Sequence, residues 1–175
     1  MISNKMLKAL NEQIKEELES AYLYFSMAAD FESKNLKGFS LWMKSQAGEE
    51  MIHALKLYNF INDRGGKAVL QGLDQPKSDW PSPMEAFKAA YKHEQHITGC
   101  INDLVMLARE EKDTATEIML QWFVTEQVEE EASADEVVQK LELVGESKQG
   151  LYMLDKELGA RPLPSLGLAV PGQGA

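Results

Sequence analysis

Glu50 and His53 have the residue types and the spacing to bind one metal ion together. Residues three apart on an α-helix lie on the same face, so this carboxylate and this imidazole are expected to point in one direction. A single E-x-x-H pattern is a weak signal, because either residue alone is more often an ordinary helix residue. The pattern gains weight from polar residues that share its spacing elsewhere in the chain.

The same polar spacing occurs in both halves of the chain. It is 33 residues in each case, from Glu17 to Glu50 and from Glu94 to Gln127, with an offset of 77 between the halves. That offset also places Glu130 where the first half has His53. Two halves with one polar spacing indicate a single site assembled from four helices.

Apolar residues at alternating steps of three and four predict those four helices. The expected breaks between and after them are Asn35, Gly65-Gly66, Lys112-Asp113 and Gly145. Ser82 is a candidate N-cap with Pro83 in the first helical position, and Asp113 is a candidate cap for the fourth helix. Helices of about 30 residues are about 45 Å long, which is typical of a four-helix bundle.

Loop lengths predict how the helices are connected. Short turns near residues 35 and 112 favour two antiparallel hairpins, whereas residues 65–81 can extend to about 55 Å and cross the bundle from end to end. Glu17 and Glu94 each precede their turn by 18 residues, and Glu50 and Gln127 each follow it by 15. The sequence therefore predicts an all-α bundle with one long crossover loop and a polar layer at mid-height.

Bare carboxylates inside a bundle are unfavourable unless they are protonated or balanced by cations, and a histidine among them favours a metal. Ligands rich in oxygen, with one imidazole, suit iron or manganese, and four Glu side chains can bridge two ions. The sequence thus predicts a dinuclear centre. The alternative is that these Glu residues are solvated and His53 is a hydrogen-bonded core residue.

The amino-acid composition limits the kinds of molecule that the protein is expected to bind. The net charge of −10, from 28 acidic and 18 basic residues, argues against nucleic acids and anionic membranes and for cations. A single cysteine, Cys100, cannot form an intrachain disulfide, and we expect it to be a small buried residue. His93 and His96 fall off the Glu94 face and are not included in the site. Without a signal-like start or a membrane-length apolar run, we expect a cytoplasmic protein.

Three local patterns resemble prokaryotic non-haem ferritins. They are YKHEQ at 91–95, QWF at 121–123 with Glu126-Gln127, and GLY at 150–152 with DKEL at 155–158. The resemblance covers residues 1–158 and implies the ferritin-like bundle with a short fifth C-terminal helix, expected at 146–158. Residues 159–175 are rich in Pro and Gly and are expected to form a flexible tail.

The resemblance implies iron storage. It implies a ferroxidase centre that oxidises Fe(II) with dioxygen or hydrogen peroxide, and a hollow homo-oligomer of 24 chains that holds Fe(III) mineral. On the matching positions, the first iron is held by Glu17, Glu50 and His53, with Glu50 bridging, and the second by Glu94 and Glu130, with Gln127 nearby. Tyr24 is implied as a residue beside the site.

The same resemblance assigns a third iron site to Glu49, Glu126 and Glu129, for which a solvated acidic face is the alternative. Bacterioferritins place a haem-ligating Met directly after the bridging Glu, where this chain has Met51. Those proteins carry a second E-x-x-H, which Gln127 and Glu130 replace here, so haem is not expected. A di-iron peroxidase or redox enzyme without mineral storage, and a purely structural bundle, are competing interpretations.

Overall fold

The structure, a computed structural model, describes residues 2–164 and consists there of five α-helices without a strand. The helices are α1 (Asn4–Ser33), α2 (Lys37–Asp63), α3 (Pro83–Glu110), α4 (Thr114–Val144) and α5 (Lys148–Leu158). α1 packs along α2 and α3 along α4, and α1 also contacts α3. The predicted all-α fold is confirmed. In the described part of the chain, no helix combines the length and apolar character needed to span a bilayer.

The two hairpin turns have the same backbone conformation. Asn35 and Lys112 both have left-handed backbones, with φ of 59° and 56°. In each turn the following residue donates its amide N–H to a carbonyl five positions earlier, at 3.0 and 2.9 Å. These bonds satisfy carbonyls at the helix end, so each chain reversal needs only three residues.

Local capping fixes the starts of α3 and α4. Ser82 Oγ accepts a hydrogen bond from the Glu85 amide at 3.2 Å, and Asp113 Oδ1 accepts one from the Thr116 amide at the same distance. Both caps are as predicted. They satisfy N–H groups that have no partner within their own helix.

The crossover between α2 and α3 runs along the length of α1. Four hydrogen bonds join this loop to α1 and to the residue that follows it. The pairs are Val69 with Asn11, Asp74 with Glu19, Lys77 with Ser26, and Trp80 with Lys34, which directly follows α1. The contact points on α1 move steadily from its N-terminal third to its end. The loop therefore crosses the bundle from end to end, as its length predicts.

Two apolar clusters fill the bundle interior. The α5-side core contains the packed rings of Phe31, Phe39 and Phe87, with centroids 5.3–6.1 Å apart, and includes residues of α5. The far core contains Phe123 together with Leu10 and other aliphatic side chains, contributed by all four long helices. The four buried Glu residues lie between the two cores, in the layer that the site occupies.

Asp155 of α5 caps α2 from a distance. Its Oδ1 accepts hydrogen bonds from the Gly38 and Phe39 amides, at 2.8 and 3.1 Å, and α2 has no side-chain cap of its own. A Cβ at Gly38 would lie 1.6 Å from the Asp155 carbonyl oxygen. The close approach of the two backbones therefore requires glycine at this position.

The chain beyond α5 returns to α2. Ser45 Oγ donates a hydrogen bond to the Pro162 carbonyl at 3.1 Å, and Arg161 reaches the side chain of Glu49. Residues 159–164 thus lie against the middle of α2. The remainder of the expected flexible tail, residues 165–175, lies outside the described residues.

Candidate metal centre

A layer of buried polar side chains occupies mid-height in the bundle. It is formed by Glu17 of α1, Glu50 and His53 of α2, Glu94 of α3, and Gln127 and Glu130 of α4. Each long helix contributes through its inward face, because the polar residues keep the spacing of the apolar residues around them. The structure thus brings together all six residues that the repeated spacing selects.

Glu17, Glu50 and His53 converge most closely. His53 Nδ1 lies 3.2 Å from Glu50 Oε2 and 3.6 Å from Glu17 Oε2. One possible ligand atom of each residue lies within 4.8 Å of the other two, and all three side chains are buried. Donor atoms at these distances can bind one metal ion.

Two aromatic rings orient His53. The Trp122 ring is 5.3 Å from the imidazole at 83°, and the Phe123 ring is 5.9 Å away at 76°. Edge-to-face contacts of this kind restrict rotation of the imidazole. Trp122 thus helps to position a candidate ligand.

Glu94 is held by hydrogen bonds from two helices. The Tyr24 hydroxyl donates to Glu94 Oε1, and Gln127 Nε2 lies 3.3 Å from both Glu94 Oε2 and the Glu94 carbonyl oxygen. Tyr24 is fully buried, so its hydroxyl needs such a partner. Both residues therefore contact a candidate ligand carboxylate.

Glu130 faces α2 and forms a second possible ligand group. Gln46 Nε2 donates to Glu130 Oε2, and possible ligand atoms of Glu130, Glu126 and His53 all lie within 4.8 Å of one another. His53 therefore belongs to both groups. Each group offers three donor residues, so the two groups together can bind two neighbouring metal ions.

Charge in the first group is balanced by His53. Burial lowers the pKa of this imidazole, but the neighbouring carboxylates of Glu17 and Glu50 outweigh burial and raise it to about 11. Burial alone would raise the pKa of Glu17, yet His53 keeps it below its usual value. Burial, with the charges of Glu94 and Glu17, raises the pKa of Glu50 well above its usual value despite His53. Without metal, His53 thus favours the charged form of Glu17, whereas the surroundings of Glu50 favour its protonated form.

The second half of the layer also disfavours negative charge. Burial and the charge of Glu130 raise the pKa of Glu94 to about 7, although Tyr24 and Gln127 donate hydrogen bonds to it. Burial likewise raises the pKa of Glu130, against the hydrogen bond from Gln46. Divalent cations would allow both carboxyl groups to ionise at neutral pH.

Two buried side-chain oxygens, Glu17 Oε2 and Gln46 Oε1, have no hydrogen-bond partner among the described residues. A buried carboxylate oxygen is normally satisfied, and an unsatisfied one costs about 1–3 kcal/mol or more. Glu17 Oε2 faces His53 and is available to a metal ion. The donor set of carboxylates and one imidazole fits iron or manganese.

The proposed third-site residues are not equivalent. Glu126 is half-buried beside Glu130, and Glu129 is exposed on α4. Glu49 Oε2 instead pairs with Arg161 Nη2 at 2.8 Å, and the guanidinium carbon lies 5.0 Å from the centroid of the Trp42 ring. A cation that binds Glu49 therefore has to compete with Arg161, whose contact with Glu49 the sequence did not predict.

Two hydrogen-bonding glutamines were missed by the sequence interpretation. Gln13 Nε2 donates to Glu17 Oε1 at 2.9 Å, and Gln46 donates to Glu130. Both side chains are buried. A signal was present, because Gln13 and Gln46 each lie four residues before a candidate ligand of their own helix, Glu17 and Glu50, and are amides in otherwise apolar faces.

We expect Glu94→Gln to remove a pH-dependent loss of stability from the metal-free protein. The raised pKa of Glu94 makes its contribution fully favourable below pH 4.5, and this contribution is lost as pH rises through about 7. The amide keeps the hydrogen-bond acceptor but carries no charge. The variant should therefore gain about 3 kcal/mol over wild type near pH 8 and less than about 1 kcal/mol near pH 5.

Urea denaturation with a chelator, at one protein concentration, measures both differences. Glu142→Gln, at an exposed position of α4, is the control and should give the same small difference at both pH values. A Glu94→Gln difference that does not change between the two pH values would contradict the assigned burial of charge.

Comparisons with known proteins agree with this geometry. The sequence profile described as a ferritin-like domain matches residues 7–144. A bacterial non-heme ferritin of Bacteroides fragilis is 42% identical over 161 residues, covering 92% of this chain and 100% of the relative. A bacterial non-heme ferritin of Staphylococcus aureus is 40% identical over 161 residues, covering 92% of this chain and 97% of the relative.

Solved structures give the same result. An open-pore ferritin from the hyperthermophilic archaeon Archaeoglobus fulgidus superposes with a TM-score of 0.92 at 52% identity, covering 93% of this chain and 100% of that one. A closed form engineered from the Archaeoglobus fulgidus ferritin gives 0.93 at 51% identity, covering 94% and 100%. The similarity therefore extends through all five helices.

Proposed function

Because the chain belongs to the ferritin family, we propose that it oxidises Fe(II) in its bundle and stores the Fe(III) product as mineral. The observation that carries this proposal is the mid-height layer. Four carboxylates and one imidazole are buried there, and one of the carboxylate oxygens, Glu17 Oε2, has no hydrogen-bond partner among the described residues. A protein that bound no cation there would retain only the cost of burying these groups.

In this proposal each ligand has a role that follows from its position. Glu17 and His53 bind the first Fe(II), Glu50 bridges the two ions, and Glu94 and Glu130 bind the second. Gln127 and Tyr24 each donate a hydrogen bond to one oxygen of Glu94 and so fix the orientation of this carboxylate toward the metal. Gln13 and Gln46 do the same for Glu17 and Glu130.

The carboxylates also explain the direction of the reaction. Two Fe(II) ions give up one electron each, and the pair reduces dioxygen with two protons to hydrogen peroxide, or hydrogen peroxide with two protons to water. Anionic oxygen ligands stabilise Fe(III) more than Fe(II), because a hard ligand interacts more strongly with the higher charge. Oxidation therefore becomes more favourable in this layer than it is with neutral ligands.

Storage requires an assembly, and we propose the family's hollow shell of 24 chains. Glu126 and Glu129, with Glu49 when Arg161 releases it, form the third site, which receives Fe(III) on its way to the cavity. A reducing cytoplasm is the compartment we propose, because it supplies Fe(II) and keeps the lone Cys100 a thiol. No role for nucleic acids or membranes enters this proposal.

A di-iron redox enzyme without storage is the competing function. The two functions differ in how much iron each chain retains, so we would add a large excess of Fe(II) in air to the metal-free protein. We expect soluble, protein-bound iron to continue to rise far beyond the two or three ions that the layer can hold. Retention that stops at two or three ions per chain would instead establish a redox enzyme.

A further inference from the structure

Besides the two possible ligand groups in the buried layer, a third group lies outside it, between α1 and α3. It consists of Glu16 of α1 and of His96 and Cys100 of α3. Glu16 directly precedes Glu17, but successive helix residues point about 100° apart, so the two carboxylates serve different faces of α1. His96 and Cys100 are four residues apart and share one face of α3. The three side chains therefore meet where the two helices pack together.

The distances in this group suit one tetrahedral ion. His96 Nε2 lies 3.1 Å from Glu16 Oε2 and 3.7 Å from Cys100 Sγ, and all three ligand atoms lie within 4.8 Å of one another. Usual Zn²⁺ bond lengths at tetrahedral angles place donor atoms about 3.5 Å apart. Small side-chain rotations would bring the three donors to a common metal distance.

The group is accessible from solvent. The side chain of His96 is 57% exposed, whereas that of Glu16 is 31% exposed and Cys100 is half-buried. A cavity of about 230 Å³ adjoins it, lined in part by Glu12, Glu16, Cys100 and Asp103. The cavity can hold a water molecule as a fourth ligand, and its acidic residues attract a cation.

The donor set distinguishes this group from the buried layer. Thiolate, imidazole and carboxylate together are typical of zinc, whereas the layer offers oxygen ligands with a single imidazole. Burial and nearby acidic groups raise the pKa of the Cys100 thiol to about 11, so an incoming metal has to displace its proton. Without metal, His96 Nε2 and Glu16 Oε2 lie within hydrogen-bond distance of each other at the surface.

We propose that Glu16, His96 and Cys100 bind one Zn²⁺ ion per chain, with water as the fourth ligand. The ion ties α1 to α3, two helices that the hairpin turns do not connect. It does so without drawing on any residue of the candidate iron layer. The inference is therefore independent of the proposed iron chemistry.

Cobalt provides a selective test, because Co²⁺ takes zinc sites and its bond to a thiolate gives an intense charge-transfer band in the near ultraviolet. Cys100 is the only cysteine in the chain, so this band reports this site even if Co²⁺ also fills the carboxylate layer. Titration of the metal-free, assembled protein should produce the band, saturating at one Co²⁺ per chain. Added Zn²⁺ should abolish it.

Matched variants test the other ligands. Cys100→Ser should remove the band, and His96→Asn and Glu16→Gln should each weaken Co²⁺ binding by at least about 10-fold. Glu12→Gln makes the same chemical change one turn earlier on α1, beside the same cavity, and should weaken binding by no more than about 2-fold, because it removes a nearby charge but no ligand. All four variants should oxidise Fe(II) like the wild type.

Two results would overturn the proposal. One is the absence of the band from wild-type protein at saturating Co²⁺. The other is a band whose Co²⁺ affinity is the same in Glu16→Gln, His96→Asn and wild type, since Cys100 would then bind the metal without the other two ligands. Far-ultraviolet circular dichroism and gel filtration of each variant confirm that it is folded and assembled.

Discussion

Glu50→Ala is expected to slow Fe(II) oxidation by roughly 100-fold or more, because partners that only orient metal ligands already change affinity or activity by about 10–100-fold. Glu50 is fully buried next to His53 and is the residue placed to bridge the two ions. Stopped-flow absorbance after mixing metal-free protein with Fe(II) and dioxygen measures the initial rate. Glu50→Gln, which keeps the shape and removes the charge, should be nearly as slow.

The variant should remain folded and assembled. Burial and the neighbouring carboxylates raise the pKa of Glu50 well above its usual value, so removing this side chain relieves an electrostatic cost in the metal-free state even though it leaves a small cavity. Glu142→Ala, at an exposed position of α4, is the control and should oxidise iron at the wild-type rate. Wild-type kinetics in Glu50→Ala would refute the site assignment, and a purely structural bundle would then account for the layer.

Gly38→Ala is expected to have the largest effect on stability. Its new methyl group would lie 1.6 Å from the Asp155 carbonyl oxygen and 2.9 Å from the Gly159 amide nitrogen, so α5 has to move away. That movement breaks both hydrogen bonds by which Asp155 caps α2 and exposes Leu158. We expect a loss of about 3 kcal/mol or more, the sum of overpacking and a lost cap.

The thermal midpoint of the metal-free protein measures this loss, and faster proteolysis near residues 146–160 should report the released helix. Gly99→Ala is the matched control, since a Cβ at this exposed position of α3 meets no atom within 4 Å. It should stabilise the protein by about 0.5–1 kcal/mol, because alanine favours helix over glycine. Equal midpoints for Gly38→Ala and wild type would show that α5 does not need this close approach.

The helices were predictable because their ends are determined locally. Asn35 and Lys112 stop α1 and α3 through their own backbone conformation, and Ser82 and Asp113 cap the following helices with side chains next in sequence. The start of α5 was placed at residue 146, whereas the helix begins at Lys148 behind the Ser147 cap. Short helices carry too few periodic residues to fix their first turn.

The polar layer was predictable for a different reason. Depth in an antiparallel hairpin follows from counting residues to the turn, so Glu17 and Glu50 had to meet at one level. The same count placed Glu94 beside Gln127. Their geometry in the layer agrees with these counts, while their roles as iron ligands stay a prediction.

Contacts between distant segments were not predictable. Arg161 lies in a stretch without periodicity, so nothing in the sequence shows that it reaches Glu49. Cys100 was expected to be buried, but it is half-buried beside a cavity, because it lies at the edge of α3 where α1 leaves a gap. The spacing of His96 and Cys100 was a usable signal, yet only the rotation of α3 against α1 brings Glu16 to them.

The buried polar layer also limits how the helices can slide along one another. A shift of one helix by a single turn, about 5.4 Å, would move its carboxylate into the α5-side core or the far core, among mainly apolar side chains that offer few hydrogen bonds. Apolar faces alone repeat every few residues and would tolerate several such registers. An ionised carboxylate without partners costs several kcal/mol, so each misaligned register is excluded. The residues that weaken the metal-free protein thereby select a single alignment of the bundle.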